Sequence, residues 1–187
     1  MGKWGLEKLL KCYLVFDTCS IEALENVKLL TEFLPKINIK IGVVKDVEEE
    51  IKSKRIKGLI KRGFIDILKP KTKSKHITEV RRLSRILKTR KNLGEISSYV
   101  FVRNHSKVIL VSDNDLVKTL NIRFGVVPWF GFSVFLYILW KKKLINENKI
   151  VSLFKKIIKE NNWGSRVVYS NIAGINQIDE EIAEKLL

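Results

Sequence analysis

Two short apolar runs, each followed closely by aspartate, dominate the hydrophobic pattern of the chain. Residues 12–16 (Cys-Tyr-Leu-Val-Phe) lead into Asp17, and residues 108–111 (Val-Ile-Leu-Val) lead into Ser112 and Asp113. Uninterrupted runs of this length are typical of strands that are buried on both faces of a parallel sheet. Open α/β sheets place their ligand sites at the carboxyl ends of such strands, so Asp17 and Asp113 are predicted to lie near one another there.

Apolar residues at helical spacing fill most of the remaining chain, with further strand-like runs between them. The pattern predicts helices near 20–34, 46–63, 77–92, 95–101, 115–121, 132–140 and 146–161, and strands near 37–44, 64–68 and 125–127. Asp46 and Glu49 have the spacing of a capping box, and 69–75 is predicted to be a basic loop. Strands that alternate with helices predict a three-layer α/β/α fold with a central, mainly parallel sheet.

Asp17 also has a simpler interpretation, because aspartate is one of the best residues for capping the start of a helix. Capping alone does not explain why two predicted neighbouring strands both lead into aspartate. Two carboxylates so close together are costly unless a cation or a shared proton offsets their repulsion. We therefore expect a positively charged partner at this edge of the sheet.

The net charge of the chain is +16, and nearly all of the excess lies in residues 51–93. That segment holds sixteen Lys and Arg residues, with Asp66 and Glu79 as its only acids. Such a block favours a polyanionic partner, although a solvated lysine-rich surface is the alternative. The candidate RNA-binding residues share this segment, on a predicted helix face and in the loop before it: Arg81, Arg82, Arg85, Lys71, Lys73 and Lys75.

Several features argue for a single cytoplasmic domain. Cys12 and Cys19 form neither a CxxC pair nor a disulfide framework, which favours a reducing compartment. The first eleven residues lack the pattern of a signal peptide, and the most apolar stretch, 125–140, is interrupted by Pro128 and by glycines. We expect no membrane span, and residues 1–187 show neither an internal repeat nor a linker that would divide them.

Two more acids are predicted to face the same region. Val47, Glu50 and Ile51 share one helical face, so Glu50 projects with core residues, whereas Glu48 and Glu49 are explained by a helix N-terminus. Glu95 lies near the first turn of the helix that precedes the second apolar strand. Four carboxylates are thus expected to converge: Asp17, Glu50, Glu95 and Asp113.

Their order and spacing resemble the PIN-domain family of metal-dependent ribonucleases, over about residues 12–160. LVFDTCSI resembles the first strand of the family with its aspartate, and VVKDVEEEI is similar to its Val-x-x-Glu-Leu helix start, which selects Glu50. LGEISSYVFV resembles the Gly-Glu segment, which selects Glu95, and VILVSDNDLVKTL resembles the closing Ser-Asp-Asp segment, which selects Asp113. GFSVFLYILWKKKLI is similar to a later helix of the family, and 161–187 would form a C-terminal extension.

The resemblance implies an endoribonuclease that depends on Mg²⁺ or Mn²⁺, with catalytic acids Asp17, Glu50, Glu95 and Asp113. It also implies metal ligands at Asp17, Glu95, Asp113 and Asp115, and positioning roles for Thr18 and Asn114. Asn114 stands where the family usually has a second aspartate, so either Asp115 replaces it or one ligand is lost. VapC-type toxins and RNA-processing PIN nucleases are the relatives implied, and the expected partners are RNA, an antitoxin and a second copy of the chain.

The chemistry of the acids supports a metal site independently of the family resemblance. Carboxylate oxygens suit hard cations such as Mg²⁺ or Mn²⁺, and the imidazole and thiolate ligands of zinc are not grouped here. A receiver domain would need paired acids after the first strand, and a haloacid-type phosphatase would need aspartate at Cys19. A non-catalytic RNA-binding module with structural acids stays open. His76 and His105 are isolated, and Trp129, Phe130 and Phe132 are expected in the core or a dimer contact rather than on RNA bases.

Overall fold

The computed structural model describes residues 11–89, 91–131 and 133–161 of the chain. Of the expected C-terminal extension, all but Asn161 lies outside the described residues, as do Arg90 and Phe132. Neither cysteine forms a disulfide; Cys12 is buried and Cys19 is exposed.

A sheet of five parallel strands forms the centre of the protein. The strands are β1 (Tyr13–Phe16), β2 (Lys40–Val44), β3 (Asp66–Leu68), β4 (Val108–Val111) and β5 (Trp129–Phe130), in the spatial order β3-β2-β1-β4-β5. The chain moves outward from β1 in one direction through β2 and β3, and in the other through β4 and β5. Ligand sites of such sheets form where this direction reverses, which here is between β1 and β4.

Nine α-helices connect and follow the strands in the described part of the chain. They are α1 (Thr18–Asn26), α2 (Leu29–Phe33), α3 (Lys45–Glu50), α4 (Lys54–Lys61), α5 (Lys73–Ile86), α6 (Leu93–Arg103), α7 (Asp115–Phe124), α8 (Ser133–Lys141) and α9 (Glu147–Glu160). A short 3₁₀ helix, Leu34–Lys36, follows α2.

Helices cover the sheet in a three-layer arrangement, which confirms the predicted fold class. Helix α6 packs on β1, β2 and β4 and also contacts α3, α5 and α7, while α1 contacts α9, which packs on α8. Residues 14–16 of β1 and 109–111 of β4 are fully shielded from solvent. The continuous apolar runs of the sequence therefore correspond to the two central strands, as expected for a parallel sheet covered on both faces.

The helix predicted over 46–63 is interrupted. Helix α3 ends at Glu50, Ile51 turns the backbone to an extended conformation, and Ser53 caps α4 by accepting a hydrogen bond from the amide of Ile56. The Asp46–Glu49 capping box is also wrong, since α3 begins one residue earlier without a side-chain cap. The carboxylate of Asp46 instead accepts a hydrogen bond from the hydroxyl of Ser97 on α6. A tertiary contact has replaced the local one.

Three other predicted elements differ from the structure. Lys73 and Lys75 lie in the first turn of α5 rather than in a loop, which spans only 69–72. The helix predicted over 20–34 is broken at Lys28, whose φ is +62°. The strand predicted at 125–127 is displaced to β5, because the amide of Val127 bonds to the side chain of Asn121. The ladder with β4 then begins at the carbonyl of Pro128, which accepts from the amide of Leu110.

The apolar stretch 125–140 forms a loop, β5 and most of α8 in the folded protein. Trp129 and Phe130 are buried in the core, so the structure confirms the core placement expected for them. Among the described residues, no helix is both long enough and apolar enough to span a membrane.

Candidate functional site

The aspartate that ends β1 is completely buried at the carboxyl edge of the sheet. Strand β1 pairs with β4 so that Phe16 lies opposite Val111, which places Asp17 beside Ser112. One carboxylate oxygen of Asp17 accepts from the amide of Ser20 at 2.8 Å, and the other accepts from the hydroxyl of Ser112. Asp17 therefore does cap α1, and at the same time it ties the ends of β1 and β4 together.

Burial gives Asp17 an unusual ionisation behaviour. The pKa of this carboxyl is raised from 3.8 to about 7, chiefly by desolvation and also by the negative charge of Glu95. The hydrogen bonds from Ser112 and Ser20 act in the opposite direction but are too weak to cancel the effect of burial. Protonation near neutral pH is therefore one way in which the cost of this buried charge is lowered.

Glu95, in the first turn of α6, carries the least satisfied carboxylate of the site. It is 4% exposed, and its Oε1 accepts from Asn114 Nδ2 at 2.9 Å and lies 3.8 Å from Cys19 Sγ. Its Oε2 is buried and has no hydrogen-bond partner. Burial raises the pKa of Glu95, and the charge of Glu50 adds to that rise. A buried oxygen without a donor is the position where a bound cation would be most favourable.

Glu50 reaches the same place from the end of α3. Its Oε2 accepts from Thr18 Oγ1 at 2.6 Å, and its Oε1 accepts from the amide of Gly94 at 3.0 Å. A Cβ at Gly94 would lie 2.6 Å from Glu50 Oε2 and 3.0 Å from Thr18 Oγ1. The glycine before Glu95 therefore leaves the space in which Glu50 and Thr18 bond.

The segment after β4 reaches the site through a backbone amide and through the side chain of Asn114. The amide of Asp113 donates to Ser20 Oγ at 3.1 Å, which brings the half-buried Asp113 to the start of α1. Asn114 caps α7 by accepting from the amide of Leu116, and its amide group donates to Glu95. Asp115 is exposed in the first turn of α7. Asn114, and not Asp115, is the residue that contacts the acid cluster.

The structure thus brings Asp17, Glu50 and Glu95 into one coupled acidic cluster, with Thr18 and Asn114 bonded to two of its members. The carboxylate oxygens of this cluster are suitable ligands for a hard cation, and Glu95 Oε2 is an available ligand atom. The oxygens of Asp17 and Glu50, however, already accept bonds from protein donors. Within the described ranges, no three His, Cys, Asp or Glu side chains are grouped so that they could hold a metal ion as they stand.

Sequence patterns did not single out Ser20, Ser112 and Gly94, although all three shape the cluster. The signals were present: serine directly after a buried strand, serine at the third position after Asp17, and glycine directly before Glu95. Only the register between β1 and β4 shows that Ser112 lies opposite Asp17.

The basic candidates lie along α5 and just before it. Lys71, Lys73, Lys75, Arg81, Arg82 and Arg85 are all exposed. Arg82 is engaged by Glu79, which accepts from both Nε and Nη2 at 2.8 Å. Among the described residues Arg81 and Arg85 form no salt bridge, so of the three arginines they are the ones most available to a polyanion.

Comparison of the chain with protein-family models, curated proteins and solved structures finds no match.

Asp17→Asn should stabilise the metal-free protein at high pH and not at low pH. Between pH 3.8 and about 7 the folded state retains the Asp17 proton and the unfolded state does not, so the wild type loses stability as pH rises through this range. The variant has no ionisable carboxyl at position 17, so its stability does not fall in this way. Urea unfolding in EDTA should show a gain on the order of 4 kcal/mol at pH 8 and little gain at pH 4.

The exposed Glu49, changed to glutamine, is the control for Asp17→Asn and should alter stability by less than about 0.5 kcal/mol at either pH. An equal gain for Asp17→Asn at both pH values would contradict a proton-linked effect.

Gly94→Ala should damage the site much more than the fold. The new methyl group would displace Glu50 from Thr18, whereas alanine within a helix is intrinsically more favourable than glycine by about 0.5–1 kcal/mol. Gly58→Ala on α4 is the matched control, because its Cβ would meet nothing within 4 Å. We expect Gly58→Ala to raise the melting temperature. Gly94→Ala should not raise it, and it should lower any activity of the cluster by at least about tenfold. Full activity in Gly94→Ala would show that the contact of Glu50 with Thr18 is dispensable.

Proposed function

We propose that this protein is a PIN-like endoribonuclease that uses Mg²⁺ or Mn²⁺ at the acidic cluster. The observation that carries the proposal is the buried, unpartnered Oε2 of Glu95 among coupled carboxylates at the switch point of a parallel sheet. The resemblance of four sequence motifs to the PIN-domain family supports it, because three of these motifs supply Asp17, Glu50 and Glu95 to that cluster.

Glu95, Asp17 and Asp113 are the proposed metal ligands, with Asp115 as a further candidate at the exposed rim. A divalent cation there would supply a water of lowered pKa and a counter-charge for the phosphate being cleaved. Ligands must be deprotonated to bind, so loading should release the proton that Asp17 holds near neutral pH. Protonation of Asp17 and binding of the proposed metal would therefore each lower the cost of its buried charge.

The remaining residues of the site have positioning roles in this proposal. Glu50 is held by Thr18 and by the amide of Gly94, which fixes its carboxylate against the start of α6. Asn114 holds one oxygen of Glu95, so the other points to where a cation would bind. Cleavage would be hydrolytic, with water as the nucleophile and RNA as the substrate class.

The role in the cell is proposed at a coarser level. A toxin of a toxin–antitoxin pair and an RNA-processing nuclease are the two candidates, and a short reading frame beside the gene would favour the toxin. A cytoplasmic location is proposed because neither cysteine forms a disulfide.

A non-catalytic RNA-binding module is the second candidate function. Specific observations favour it: the oxygens of Asp17 and Glu50 are satisfied by protein donors, and the described residues contain no ready group of three metal ligands. In that case the cluster would be structural, and it would join the ends of β1 and β4 to the start of α6. The basic segment would bind RNA without cutting it.

Glu95→Gln should abolish metal-dependent cleavage while the fold persists. In a cleavage assay on single-stranded and structured RNA, titrated with Mg²⁺ and Mn²⁺, we expect a loss of at least about a hundredfold. Saturating Mg²⁺ should stabilise the wild type by about 1–3 kcal/mol, by mass action, and the variant by much less.

Glu49→Gln removes an equivalent charge from the exposed face of α3, and it should keep both cleavage and the Mg²⁺ effect. A wild-type melting temperature unmoved by millimolar Mg²⁺, together with RNA binding without cleavage, would establish the binding module instead.

Arg81→Gln with Arg85→Gln should weaken RNA binding across all sequences and flatten its salt dependence. Each phosphate contact on a single strand contributes about 0.7 to the slope of log affinity against log salt, so losing two contacts should lower the slope by about 1.4. Lys155→Gln with Lys156→Gln on α9 is the control, since it removes two exposed charges elsewhere. Identical slopes for the two double variants would mean that α5 only contributes solubility.

A further inference from the structure

A concave site, separate from the acidic cluster, lies between the start of α5 and the end of α6. Its cavity has a volume of about 380 Å³, which falls in the range of small-ligand pockets, about 300–1,000 Å³. The lining includes Lys71, Lys75, Glu79 and Arg103. The two histidines of the chain, His76 and His105, also line it. None of the acids of the cluster does.

Positive charge exceeds negative charge in this pocket even with both histidines neutral. Glu79 is the only acid of the lining, and it accepts hydrogen bonds from Arg82 and, at 2.6 Å, from Arg103. The bonds from Arg82 and Arg103 lower the pKa of Glu79 to about 2 against the effect of burial, so the carboxylate stays ionised and neutralised. Lys71 and Lys75 have no such acid within the lining and remain exposed at its mouth.

The inner wall of the pocket is held in place by contacts of its own. The guanidinium of Arg103 is fixed by Glu79 and lies 5.9 Å from the ring centroid of Tyr99. His76 is 9% exposed, and its Nε2 lies 2.9 Å from Ser97 Oγ. His105 stacks on Phe101, with ring centroids 4.0 Å apart, and its Nδ1 donates to the carbonyl of that residue. A preorganised wall of this kind lowers the entropic cost of holding a ligand.

We propose that this pocket is a binding site for a phosphate group. Lysine and arginine converging from two elements are the usual donors to phosphate oxygens, and α5 begins beside them with Thr72 making no side-chain cap. Arg103 and Glu95 are both on α6, about 12 Å apart along its axis, so the pocket and the acidic cluster lie at opposite ends of one helix. A free phosphate or a terminal monoester offers the same chemistry, and neither requires the metal site.

The test uses the ring signals of the two histidines as reporters in nuclear magnetic resonance. Inorganic phosphate, titrated into the full chain in EDTA, should shift the signals of His76 and His105 and reach saturation. Lys71→Gln with Lys75→Gln should weaken phosphate binding about tenfold. Lys54→Gln with Lys57→Gln on α4 removes the same charge from exposed positions outside the pocket, and should change affinity less than about twofold.

Further probes separate the source of the phosphate. A short oligoribonucleotide without terminal phosphates that shifts both histidines assigns the pocket to the RNA backbone; a response only to inorganic phosphate or to a 5′-phosphorylated oligonucleotide assigns it to a free or terminal group. The absence of saturable shifts, or equal affinity in the two double variants, would overturn the proposal, as would an equally strong response to acetate. Because EDTA is present throughout, the outcome does not depend on whether the acidic cluster cleaves RNA.

Discussion

The complete burial of one carboxyl group, that of Asp17, is the constraint on which the rest of the site depends. Parallel pairing of β1 with β4 places this group against Ser112, and the start of α1 places the amide of Ser20 on its other side. Ser20 in turn accepts from the amide of Asp113. Burial disfavours the charged form of this group, so the pKa of Asp17 is raised to about 7.

The central part of the fold could be predicted from the sequence because it follows from burial alone. Uninterrupted apolar runs have few alternatives to a doubly covered parallel strand, and the aspartate after each run then falls at the edge where ligands bind. Glu50 and Glu95 were found from helical spacing and from the family resemblance, and the structure places both in the cluster. These predictions needed periodicity, the direction of the chain and, for Glu50 and Glu95, the family resemblance.

The predictions that failed were local rules overruled by tertiary contacts. Asp46 has the spacing of a capping box, but Ser97 on α6 offers it a hydrogen bond that no pattern within α3 could reveal. The amide of Val127 bonds to Asn121 instead of pairing in a strand. Each failure concerns which hydrogen-bond donor lies beside which acceptor, and this depends on how the elements pack against one another.

Helix α6 joins two sites of opposite charge, and this arrangement bears on how a polyanion could approach carboxylates at all. Its first turn carries the buried Glu95, and its last turn carries Arg103 in the wall of the basic pocket. A phosphate strand is repelled by the cluster unless a proton or a cation offsets the carboxylates. It is attracted by the pocket and by the exposed cations of α5 under all conditions near neutral pH. In the proposed function, RNA binding at the basic pocket would therefore be separate from reaction at the acids, which would depend on whatever neutralises Asp17 and Glu95.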